Sequence, residues 1–64
     1  DRAEKVAKAL KLLPEEQVAL IRMAFYRGWS HSEIANETGL PLGTVKSRLR
    51  LSFSKLRSIL RDLS

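Results

Sequence analysis

Sixty-four residues suffice for one small domain, which buries only about 60% of the surface its unfolded chain exposes, so stability has to come from a few well-packed elements. With no cysteine and a single histidine, a disulfide staple, a thiolate metal site and a histidine ligand cluster are excluded; no apolar run approaches the roughly 20 residues of a membrane span, and no signal-peptide pattern is present. Twelve Lys and Arg against seven Asp and Glu give a net charge of +5, and from Leu40 to Arg61 there is no acid at all.

No repeat, low-complexity segment or period-two alternation is visible, and turn residues divide the chain into four helical pieces. The first is expected from about Arg2 to Leu12, with Val6, Leu10 and Leu13 at spacings of four and three and Lys5, Lys8 and Lys11 facing elsewhere. Pro14 ends it and suits the first turn of the next helix, where its missing N–H is harmless. Glu15 and Glu16 then sit favourably at the positive end of the helix dipole.

The second piece is expected from about Glu15 to Tyr26. Val18, Ile21, Ala24 and Phe25 form one apolar stripe, widened by Leu20, and Gly28 is a left-handed stop. The third opens on Ser30-His-Ser-Glu33, which reads as a capping box; Trp29 before the cap and Ile34 at the fourth helical position form a hydrophobic staple. It ends near Thr38, with Gly39 beyond it. The fourth starts near Pro41, with Thr44 as an alternative cap one turn later, and continues to about Leu63. Val45, Leu49, Leu56, Leu60 and Leu63 keep helical spacing along it.

From His31 onward the layout is that of a helix-turn-helix. Ala35 is small enough to admit the second helix, Gly39 comes four residues later where the chain must turn left-handed, Leu40 plugs the corner, and Val45 anchors the next helix in the core. One departure is evident. The second apolar anchor usually follows the first by three residues, but that position is Arg48 and the apolar residue is Leu49. At about 100° per residue, the side of the fourth helix opposite Val45 and Leu49 presents Ser47, Arg50, Leu51 and Ser54, flanked by Thr44, Lys46 and Arg48. Arginine and lysine pair with guanine O6 and N7, and a serine hydroxyl bonds either a base or a phosphate. A basic stretch of this kind suits nucleic acid or an anionic membrane surface; a solvated helix face is the plainer alternative.

The run Gly39-Leu-Pro-Leu-Gly-Thr-Val-Lys-Ser-Arg-Leu-Arg50, with Leu13-Pro-Glu-Glu-Gln and Gly28-Trp-Ser-His-Ser-Glu-Ile-Ala35 before it, resembles region four of bacterial extracytoplasmic-function (ECF) RNA polymerase sigma factors. The resemblance covers about Val6 to Leu60. It implies an all-α, four-helix domain containing a helix-turn-helix, of the winged-helix-like or homeodomain-like DNA-binding class without a wing. It also implies a cytoplasmic, non-enzymatic domain without cofactor or metal that reads the promoter −35 element. Carried over position by position, Lys46, Ser47, Arg50 and Leu51 would face bases, while Ser30, His31, Ser32, Thr44 and Arg48 would touch the DNA backbone. Ala35, Gly39, Leu40, Val45 and Leu49 form the turn and core of the motif. Position 51 is arginine in many relatives, so leucine here weakens the transfer of base preference, while a GGAAC-like element remains the family expectation. Further implied partners are the RNA polymerase core, through its β-subunit flap, and an anti-sigma factor. The start at Asp1 rather than Met suggests that residues 1–64 are one domain, the C-terminal fragment of a longer protein.

Plainer roles remain for several of these residues. His31 fits an exposed first-turn position as well as a phosphate contact, and Leu51 fits a tolerated surface leucine as well as a thymine-methyl contact. Trp29 fits a staple better than a stacking platform, and Ser30 and Glu33 are caps first. Lys55, Arg57 and Arg61 suit a solvated or backbone-steering face. Two other functions compete. A response-regulator output helix-turn-helix shares Thr44-Val-Lys46 but usually has histidine where Arg48 stands. A sigma-like module that captures an anti-sigma factor without reading DNA would tend to lose Lys46, Arg48 and Arg50. An enzyme has no converging nucleophile and base, and a membrane-surface helix leaves the Gly39 turn unexplained.

Overall fold

The computed structural model describes residues 2–63; Asp1 and Ser64, which the expected domain limits include, lie outside the described residues. Four α-helices follow one another: α1 (Arg2–Lys11), α2 (Glu15–Ile21), α3 (His31–Thr38) and α4 (Leu42–Leu63). No strand occurs among the described residues. Pro14 sits one residue before α2 rather than inside it; its carbonyl accepts from the Gln17 and Val18 N–H groups.

The second helix departs from expectation. At Arg22 the α-helical ladder gives way to a π turn, Arg22–Tyr26, in which the Arg27 N–H donates to the Arg22 carbonyl at 3.0 Å. The Trp29 N–H then donates to Met23 at 3.0 Å, past Gly28 at φ +67°. A π turn accommodates one extra residue and so turns the following side chains away from the 3.6-residue register. Phe25, expected in the apolar stripe with Val18 and Ile21, is consequently 69% exposed.

Two apolar clusters make the core. Leu10, Leu13, Val18 and Ile21 form one, with Val6, Phe53, Leu56 and Ile59 packed against it. Leu20, Ile34, Val45 and Leu49 form the other, edged by Met23, Ala24, Trp29, Ala35, Leu40 and Phe53. Helix α2 thus faces both clusters, Val18 and Ile21 one way and Leu20 the other, while Phe53 joins them from α4. At about 1.5 Å per residue the 22 residues of α4 span about 33 Å, close to the 35 Å long dimension of the molecule. Its first half is pinned by α3 and its second by α1. Leu63, placed on the core face by periodicity, is 39% exposed, because α4 outruns the helices that could cover its end.

Candidate nucleic-acid interface

The interface begins with the cap of α3. The Glu33 N–H donates to Ser30 Oγ at 3.1 Å, and the Ser30 N–H donates to Glu33 Oε1 at 2.9 Å, so the capping box is closed in both directions. Hydrogen bonds from the Ser30 backbone, and secondly from its side chain, hold the Glu33 carboxyl below its ordinary value of 4.5. Trp29 packs on the same cluster as Ile34, as a staple should. The Arg27 guanidinium lies 5.3 Å from the Trp29 ring centroid, a cation–π geometry. With its backbone fixed this way, the first turn of α3 leaves Ser30, His31 and Ser32 exposed.

The corner follows from three residues. Gly39 takes φ +75°, ψ 8° and donates its N–H to Ala35 at 2.9 Å, a left-handed cap that other residues adopt only with strain. Thr38 Oγ1 donates to the Ile34 carbonyl at 2.7 Å and accepts from the Leu40 N–H at 3.3 Å. Leu40 and Ala35 pack against the α3/α4 core cluster. The Pro41 carbonyl accepts from the Val45 N–H at 3.0 Å, so α4 begins at Leu42, nearer the Pro41 start than the Thr44 one.

Burial then sorts the residues of α4. Val45 is fully buried and Leu49 is 4% exposed. Lys46, Ser47, Arg48, Arg50 and Leu51 are all exposed, Leu51 by 63%, and Thr44 is half-buried. The four expected base-facing residues therefore share one outward surface beyond the Gly39 corner. The five expected backbone-contacting residues divide between that helix and the first turn of α3. The apolar anchors at Val45 and Leu49, four apart, do the work expected of a three-residue spacing, and Arg48 is left free to point outward.

A model of the sigma-70, region 4 family matches residues 9–58. The chain belongs to that family. This region 4 domain is 53% identical over 53 residues to the ECF RNA polymerase sigma factor RpoE of Cereibacter sphaeroides, covering 83% of this chain and 29% of that protein. It is 45% identical over 58 residues to the ECF RNA polymerase sigma factor SigL of Mycobacterium tuberculosis, with 91% and 33% covered. The ECF RNA polymerase sigma factor SigK of Mycobacterium bovis is 33% identical over 60 residues, with 94% and 32% covered. The chain thus spans about a third of the length of the relatives it matches.

Three contributors to the interface's architecture escaped sequence reasoning. Thr38 bridges the end of α3 to the turn; a threonine directly before a capping glycine was the available signal. Ser52 lies fully buried in the middle of the inward face of α4, its hydroxyl donating to the Arg48 carbonyl at 2.7 Å. Its helical position, three after Leu49 and four before Leu56, marked it as inward despite its polarity. Phe53 links the two core clusters. Away from the interface, Phe25 and Tyr26 stand edge-to-face with ring centroids 5.3 Å apart. They rim an open groove of about 340 Å³ whose lining includes Val6, Leu10, Phe53 and Leu60.

Proposed function

We propose that the chain is the −35-reading domain of a longer ECF sigma factor, binding duplex promoter DNA through α4 while the factor directs RNA polymerase to initiation. One observation carries the reading: Val45 and Leu49 are locked in the core, so Lys46, Ser47, Arg50 and Leu51 are turned outward together beyond the Gly39 corner. A major groove about 12 Å wide admits a helix of this kind. Arg50 and Lys46 are suited to guanine O6 and N7, Ser47 to a base edge, and Leu51 to a thymine methyl group. Ser30, His31, Ser32, Thr44 and Arg48 serve the phosphates and set the register.

In this reading the domain catalyses no reaction, needs no cofactor and acts in the cytoplasm. No helix among the described residues is long and apolar enough to cross a membrane. The polymerase core, by its β-subunit flap, is the protein partner, with an anti-sigma factor as a competitor for exposed surface. The aromatic-rimmed groove beside Phe25 and Tyr26 supports a protein contact, because its lining is apolar apart from Arg57.

Arg50→Ala tests the base-reading assignment. Titrations with a duplex carrying a GGAAC-type element and with its scrambled counterpart are expected to show about 1–3 kcal/mol of lost discrimination. Equal losses on the two duplexes would demote Arg50 to a backbone contact.

A further inference from the structure

The cations of α4 do not form a single patch. At about 100° per residue, and with Val45 at zero, Lys46, Arg50 and Arg57 fall at about 100°, 140° and 120°. Arg48 and Lys55 fall at about 300° and 280° on the other flank. These five are exposed, as is Arg61 at about 160° in the last turn, and no acid occurs on α4 before Asp62. The ridge between the flanks carries no charge: Ser47, Leu51, Ser54 and Ser58, each exposed. From Ser47 to Ser58 this arrangement runs for about 17 Å at about 1.5 Å per residue. Lys55 and Arg57 therefore continue, on opposite sides, the rows begun by Arg48 and by Lys46 with Arg50.

A single row of cations suits one polyanionic strand, or one side of a flat anionic surface. Two rows separated by a narrow uncharged ridge match a groove, in which Lys46 and Arg50 at the leading end reach base edges while the cations further along meet the phosphates of the two walls. We propose that α4 lies lengthwise in the DNA groove from its first turn to about Ser58, with Arg57 contacting the phosphates of one strand and Lys55 those of the other. The inference rests on the DNA-binding reading of α4 and extends it by more than a turn beyond the base-reading residues. It makes Lys55 and Arg57 sequence-independent contacts, each neutralising a phosphate and releasing counterions.

The test measures the affinity of the chain for the GGAAC-type and scrambled duplexes across a salt series. Lys55→Ala and Arg57→Ala are compared with the wild type and with Lys8→Ala, an exposed cation on α1. Each of the two α4 variants is expected to reduce the slope of log K against log[salt] by about 0.9 and to weaken both duplexes by the same factor, while Lys8→Ala leaves the slope unchanged. Methylphosphonate linkages placed in one strand should abolish the effect of one variant, and in the opposite strand that of the other. Slopes that match the wild type in both variants would overturn the lengthwise seating, as would a loss in only one of them or abolition of both effects from the same strand. A wild-type slope near zero would instead remove the DNA reading itself, which keeps the two failures distinct.

Discussion

Three glycines divide according to what the backbone asks of them. Gly28 and Gly39 lie at φ +67° and +75°, whereas Gly43, in the first turn of α4, has no positive φ, and a Cβ built on it meets nothing within 4 Å. Gly43→Ala is therefore expected to raise stability by about 0.4–1 kcal/mol by narrowing the unfolded ensemble, or about 2–8 °C in a domain this small. Gly39→Ala should lower it by more than that, since Gly39 lies in left-handed backbone. Thermal unfolding of the two variants gives opposite signs if the corner is built as described. Glu33 supplies a pH dependence. Its carboxyl is held below 4.5 in the folded chain, so its contribution is complete above that value and is lost as pH falls through the lower, folded one. Denaturant midpoints measured through this range should decline with acid, and Glu33→Gln should decline less steeply over the same interval.

Among the elements, those whose ends are marked by local chemistry were legible in the sequence. The Ser30-to-Glu33 box, the Trp29 staple and the Gly39 corner fix α3 through interactions within a few residues, so the pattern and the structure agree there. Val45 and Leu49 were equally legible, because α4 keeps an unbroken helical period and its outward face follows by elimination. Phe25 was not, since the Val18-Ile21-Phe25 spacing describes an α-helix and the chain changes to a π turn at Arg22. The extra residue is invisible to a periodicity that assumes 3.6 residues per turn. Ser52 escaped for a different reason: burial there is decided by helix position and a back-bond to Arg48, against the polarity of the side chain. The exposed aromatic pair created by the π turn carries its own prediction. Phe25→Ala and Tyr26→Ala remove side chains that are 69% and 59% exposed, so stability should change by no more than about 0.5 kcal/mol. On the proposed reading, a sigma factor carrying this domain should nevertheless lose about 2 kcal/mol or more of affinity for the polymerase core, the range of buried aromatic contacts at interfaces, with DNA binding by the chain unaltered. A pull-down or titration with core polymerase reads the difference.

At the scale of the whole molecule, α4 serves both as spine and as contact surface. Its inward side ties the α3 cluster to the α1/α2 cluster through Phe53, and this attachment fixes the rotation of its outward side. The short, capped α3 and the three-residue turn join segments 30–32 and 44–51, whose exposed residues are Ser30, His31, Ser32, Lys46, Ser47, Arg48, Arg50 and Leu51. The groove beside Phe25 and Tyr26 belongs to the other end of the spine, lined by Val6, Leu10, Leu56 and Leu60 together with Arg57, so a protein partner seated there borders the DNA-facing surface at Arg57. The most direct measurement is a map of backbone amide shifts as the isotope-labelled chain is titrated with a −35-type duplex. The largest changes are predicted at residues 30–32 and along α4 from Thr44 through Arg57, with Phe25, Tyr26 and the α1 side of their groove little affected. Changes centred on that groove or on α1, with Lys46 to Leu51 silent, would contradict the account.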